Sequence, residues 1–145
     1  MSLYKKLIKI QSNLSVPKNQ YNKFGKYKYR SCEDIIEAVK PLLEENNLTM
    51  TISDELVLIG DRYYIKAKVT VYDGEKGEKI ETTGYAREAE NKKGMDESQI
   101  TGAASSYARK YALNGMFAID DTKDADATND HDKKKPLEKP KTDKS

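Results

Sequence analysis

Residues 17–30 read PKNQYNKFGKYKYR, a stretch that sets Tyr21, Phe24, Tyr27 and Tyr29 among Lys18, Lys23, Lys26, Lys28 and Arg30. Cations at this density can follow a phosphate backbone without reading bases, and flat rings offer stacking faces to unpaired bases, each stack being worth about 1 to 3 kcal/mol. That chemistry suits single strands better than duplex. The same spacing also fits tyrosines packed on a core with lysines turned to water, and spacing alone leaves both readings open. A second alternation lies further on, where Tyr63, Ile65, Ala67, Val69 and Val71 alternate with Tyr64, Lys66, Lys68, Thr70 and Tyr72. In a strand, one of these faces covers a core and the other presents cations between two rings.

Other chemistries lack their residues. A phosphate-binding loop needs a glycine-rich turn followed by Lys and Ser or Thr, and neither GDRYY nor DGEKGEK supplies one. His131, the one histidine, has no cysteine partners, which leaves a zinc site or a histidine-based triad unsupported. Cys32, the one cysteine, permits no intrachain disulfide and at a helix start reads as a buried thiol. Asp120, Asp121, Asp124, Asp126, Asp130 and Asp132 suggest a metal cluster, but Asn129 stands where a calcium loop needs glycine and no Glu closes it. A solvated acidic tail is the expectation, with no cofactor, no metal and no catalytic residue.

The net charge of +2 conceals segregated blocks. Residues 1–30 hold eight Lys and Arg with no acid, residues 31–60 sum to −6, 61–115 to +1, 116–132 to −5 and 133–145 to +4. Basic blocks of this kind mark interaction arms or simply solvated surface. No apolar run approaches the roughly 20 residues needed to span a bilayer, and no signal-peptide core is present, so a cytoplasmic protein without membrane contact is expected.

Helices and strands must position these side chains. Leu3, Leu7, Ile10 and Leu14 predict a short amphipathic helix ending before Val16 and Pro17. Ser31 and Asp34 open a second helix over 32–46 with a buried stripe of Ile35, Val39 and Leu42 together with Ile36 and Leu43, interrupted by Pro41, where a kink or a restarted turn is expected. Strands are expected near 48–53, 55–59, 62–72 and 78–88, the last two joined through a five-residue connection. Asp96 and Gln99 then open a helix expected to run to about Leu113 and stop at Asn114 and Gly115. On it, Ile100, Ala104, Tyr107 and Tyr111 form the expected inward stripe, with Gly102, Ser105 and Arg109 opposite. Its small residues would let another backbone come close, from a sheet, a neighbouring subunit or DNA. Apolar content collapses after residue 119, so the expected organisation is a core over 1–119 and a disordered charged tail over 120–145.

The strings YNKFGKYKYRSCEDIIEAVKPLL and GMDESQITGAASSYARKYALNGMFAIDD resemble the essential recombination function (ERF) family of phage single-strand annealing proteins over about residues 1–121. The resemblance implies an α+β fold, an antiparallel β-meander of three to four strands packed against helices, similar to strand-annealing ring proteins. It implies ATP-independent annealing of single-stranded DNA in the bacterial host cytoplasm by a homo-oligomer, ring or filament, with a phage or host single-strand-binding protein as a candidate further partner. The candidate DNA-binding residues are Lys23, Lys26, Tyr27, Lys28, Arg30, Lys66, Lys68, Arg109 and Lys110. Longer family members continue into a second region where this chain has a short charged tail.

Three readings compete. A double-stranded RNA-binding module shares the order of helix, three strands and helix, but Asp96 and Glu97 at the start of its last helix would repel phosphate. A metal-dependent nuclease would ask tail residues such as Asp120 and Asp121 to hold metal geometry. A purely structural phage assembly protein predicts oligomers without DNA affinity.

Overall fold

A computed structural model describes residues 1–88 and 96–120, the side chains of 97–99 excepted. Its elements are α1 (Leu3–Asn13), β1 (Gln20–Asn22), β2 (Tyr27–Tyr29), α2 (Cys32–Glu45), β3 (Thr49–Ile59), β4 (Arg62–Asp73), β5 (Glu78–Arg87) and α3 (Glu97–Phe117). The chain divides into two units, residues 1–16 with 32–119, and residues 17–31 with the chain from 120 onward. The expected tail, apart from Asp120, lies outside the described residues.

The first unit is an α+β fold in which β3, β4 and β5 form an antiparallel meander. Strand β4 supplies its centre, since Ile65, Ala67, Val69 and Val71 are buried and meet Leu7, Ile10, Ile35, Val39, Leu113 and Phe117 from the helices in one core. The turn between β3 and β4 is two residues, Gly60 and Asp61, with Gly60 at φ 64. Glycine at the first central position is what a type II′ hairpin turn requires, and its twist matches that of the flanking strands.

Several boundaries differ from the sequence expectation. The segments expected at 48–53 and 55–59 are one strand, β3, paired residue for residue with β4 from Thr49↔Tyr72 to Ile59↔Arg62. The polar pair Ser53 and Asp54 suggests a break, but Asp54 is held by α3 and the ladder runs through. The connection from β4 to β5 has four residues rather than five, because Asp73 still pairs with Glu78. Helix α2 is not restarted at Pro41. Ile35 and Val39 before it and Leu43 after it all enter the same core. It ends at Glu45 and is closed by Asn47, whose positive φ of 56 lets Leu48 N donate to Leu43 O at 3.0 Å, a Schellman stop made with Asn.

Helix α3 does not stop at Asn114 and Gly115. It runs to Phe117 and ends through Ala118 at φ 57, with Ile119 N donating to Asn114 O. Its inward stripe is also different, comprising Ala104, Ala108, Ala112, Leu113, Met116 and Phe117, whereas Tyr107 and Tyr111 are half exposed and stacked on one another at 6.4 Å. The cause is Gly84 on β5. A Cβ there would lie 2.5 Å from Ala108 O and 2.6 Å from Ala112 N, so helix and strand backbones touch where only alanines fit between them. Of the three close neighbours open to this helix, the sheet is the one seen; Gly102 faces open space.

A buried ion pair pins α1 to the β4–β5 turn. Lys6 Nζ donates to Asp73 Oδ2 at 2.9 Å, and Asp73 Oδ1 accepts the Glu75 and Lys76 backbone N–H groups. A carboxylate with this set of donors satisfies the condition for burying charge, which is that it be paired and hydrogen-bonded.

Candidate nucleic-acid interface

Residues 17–31 carry Lys18, Lys23, Lys26, Lys28 and Arg30 and no acid. They form a hairpin in which Gln20 faces Tyr29, Tyr21 faces Lys28 and Asn22 faces Tyr27. Asn22 holds the turn: its Oδ1 accepts Phe24 N at 2.9 Å and Gly25 N at 3.0 Å, and its carbonyl accepts Lys26 N at 2.7 Å. An Asn side chain that takes backbone donors two and three residues on is a turn-former with a mechanism, and Lys26 accordingly takes a positive φ of 57. The ring of Tyr27 covers Gly25, where any Cβ would strike it. This local packing rigidifies the turn and projects Phe24 outward with relative exposure of 101%.

A ring fully exposed at a turn tip offers both faces to stacking partners. Lys23 and Lys26 flank it, and Tyr21 and Lys28 share one exposed face of the hairpin. Tyr27 and Tyr29, 6.0 Å apart and tilted, share the other face and are half-buried. The alternatives left open by spacing therefore divide within the hairpin: Tyr21, Lys23, Phe24, Lys26 and Lys28 are exposed, in contrast with the partial cover of Tyr27 and Tyr29.

The second cluster lies on the sheet face turned away from the helices. Strand alternation places Tyr64, Lys66, Lys68, Thr70 and Tyr72 there from β4, and cross-strand register adds Arg87, Tyr85, Thr83, Glu81 and Lys79 from β5. Lys66 Nζ stands 6.0 Å from the centroid of Tyr85, while Lys68 and Lys79 lie 3.8 and 3.6 Å from the Glu81 carboxylate. Such exposed pairs are weak and exchange readily for other anions. No local motif marks Tyr85, Lys79 and Arg87, although the alternation in EKIETTGYAR, read against β4, carries them to this face.

Arg109 sits on the opposite side of the sheet. Its Nε donates to Asp54 Oδ1 at 3.0 Å and its Nη2 to Oδ2 at 3.1 Å, while Ser105 Oγ donates to the same Oδ2 at 2.6 Å. Burial pushes the Asp54 carboxyl up, but the bonds from Arg109 and Ser105 together outweigh it and hold the group below its ordinary value. The Arg109 guanidinium is raised in turn, chiefly by that hydrogen bond to Asp54. Lys110 is half-buried on α3. The candidate residues are thus distributed over the hairpin, the outer sheet face and α3, with Lys66 and Lys68 separated from Arg109 by the thickness of the sheet. Cys32 is buried, and burial followed by the nearby Glu33 raises its thiol, opposite to what a nucleophile needs.

Among the described residues no group of three metal-ligating side chains comes together, and no helix is long and apolar enough to cross a membrane. The fold and its surfaces define an α+β protein that presents basic and aromatic side chains on a hairpin and on one sheet face. The family model described as the ERF superfamily matches residues 3–145, and the chain belongs to that superfamily. The essential recombination function protein of Salmonella phage P22 is 64% identical over 128 residues, 88% of this chain and 60% of the relative. The chain therefore spans about three-fifths of that relative's length. No solved structure is a significant match.

Proposed function

We propose that this chain acts in phage homologous recombination by binding single-stranded DNA without sequence preference and annealing complementary strands. It does so without nucleotide hydrolysis, as a homo-oligomer in the bacterial cytoplasm. The observation that carries the reading is the hairpin, where an apolar ring is held fully exposed among cations in a segment without acids. Phosphates track the lysines, Phe24 and Tyr21 stack on bases, and the Watson–Crick edges stay available to a second strand. The outer sheet face, with Lys66, Lys68 and Tyr85, offers a second surface of the same kind. Membership of the ERF superfamily and the name of the P22 relative support the recombination role.

The resemblance puts Arg109 and Lys110 forward as DNA contacts. The geometry favours a positioning role for Arg109, whose charge is balanced by Asp54, and leaves Lys110 as a candidate contact. Competition between unlabelled single-stranded DNA and duplex RNA for one labelled oligonucleotide tests the reading. Single-stranded DNA is expected to displace the probe and duplex RNA to compete poorly, whereas preferential displacement by duplex RNA would favour recognition of A-form shape.

A further inference from the structure

The tip of the hairpin is the run of residues 23–26 between the paired Asn22 and Tyr27. Its backbone donors are turned inward. Asn22 Oδ1 accepts the N–H groups of Phe24 and Gly25, and the Asn22 carbonyl accepts that of Lys26. At the other end of the same side chain, Asn22 Nδ2 donates to the Tyr27 hydroxyl at 3.2 Å. Successive N–H groups pointing outward would make a nest for phosphate, but those of residues 24, 25 and 26 are already taken. What the tip offers a ligand is therefore the Phe24 ring and the ammonium groups of Lys23 and Lys26, all exposed.

The geometry of the tip is specified closely. The Tyr27 ring lies against Gly25 and leaves no room there for a side chain. Lys26 holds a left-handed φ of 57, which glycine or asparagine would adopt at less cost than lysine. Strain of this kind persists where the surroundings over-determine it and collects at ligand sites. A ring held in place before a ligand arrives loses little freedom on binding.

The ring and the cations recognise different things. Phosphates occur in single strands and duplex alike, so Lys23, Lys26 and Lys28 attract both. Base faces do not: in a duplex each is covered by its neighbours, and baring one means unstacking a step. An unpaired strand gives up its faces readily. We propose that Phe24 is the residue by which this chain prefers single strands to duplex, and that Asn22 is a positioning residue acting through it. The inference rests on the proposed function and names the side chains that give that site its selectivity.

The test measures affinity of the full chain for a labelled single strand of mixed sequence and for the blunt duplex of that sequence, with circular dichroism on each variant. Wild type should bind the single strand more tightly. Phe24→Ala should lower single-strand affinity about 5- to 150-fold and leave duplex affinity unchanged. Asn22→Ala should shift the ratio the same way, and adding it to Phe24→Ala should shift the ratio no further. Asn22→Asp retains an acceptor for the Phe24 and Gly25 N–H groups, so it should keep the preference while its charge weakens both complexes. Lys26→Gly, which removes a charge from a backbone that suits glycine, should also weaken both and keep the ratio. Equal losses on single strand and duplex in Phe24→Ala would overturn the proposal. Losses from Asn22→Ala and Phe24→Ala that simply add, or a preference abolished in Asn22→Asp, would remove the positioning role. A wild-type protein that binds both forms alike sinks the functional reading itself, whereas a selective wild type with an equally selective Phe24→Ala variant removes this inference alone.

Discussion

The Arg109–Asp54 pair shows how a residue's role turns on a partner far away in sequence. The spacing in SYARKYAL places a cation on α3, but its carboxylate comes from β3, 55 residues earlier, and no local pattern announces it. Arg109→Ala and Asp54→Ala should each cost about 1 to 2 kcal/mol in urea unfolding, below the figure for a fully buried pair because both groups are partly exposed. The double variant should cost less than the sum, and single-strand affinity per folded molecule should stay at the wild-type value. Phe24→Ala should do the reverse. Its ring is exposed, so the melting temperature should not move, while single-strand binding weakens by about 1 to 3 kcal/mol. The acid limb of stability belongs to this scale too. The hydrogen bond from Lys6 foremost holds the Asp73 carboxyl below its ordinary value, and Asp54 is also lowered. Their contribution is therefore complete above the unfolded carboxylate pKa of about 3.9 and is lost as pH falls through the lower folded values. Asp73→Asn should flatten stability across that acidic window in pH-dependent denaturant melts, at the expense of stability at neutral pH.

At the scale of elements, the sequence locates α1, α2 and the meander, because the periods of 3.6 and 2 are strong in LYKKLIKI, DIIEAVKPLL and YYIKAKVTV, and it locates α3 through the capping pair Asp96 and Gln99. It is least informative where two backbones meet. Tyr107 and Tyr111 fit a helical stripe by spacing, yet the buried positions are alanines, since Gly84 brings β5 against α3 and leaves no room for a ring. Nothing local to α3 marks that approach; the one signal is a glycine inside a strand pattern. Gly84→Val should accordingly lower stability by about 1 to 3 kcal/mol or more, read as a shift in thermal or urea midpoint. The segment at residues 17–31 is legible as basic and aromatic but not as a hairpin, because its turn is built by the Asn22 side chain rather than by a glycine pair.

For the whole molecule, segregated charge says more than net charge. The acid-free run through residue 30 supplies the hairpin, and the following acidic block includes Asp54, which neutralises Arg109. Deleting residues 122–145 should leave far-UV circular dichroism and annealing close to wild type, since the core cluster of the described residues is drawn from residues 3–119; lost helix or strand signal in the truncated chain would give that segment a structural role.

The central claim is annealing by binding alone, and it is tested most directly by mixing complementary oligonucleotides of arbitrary sequence with the protein, without nucleotide and with chelator present. The account predicts duplex formation well above the spontaneous rate. In single-strand binding it predicts a log-log salt slope shallower by about 2 in the variant Lys23→Ala, Lys26→Ala, Lys28→Ala, at roughly 0.7 for each phosphate no longer neutralised. An annealing rate no faster than the spontaneous one, or a triple variant that matches wild type in both rate and slope, would contradict it.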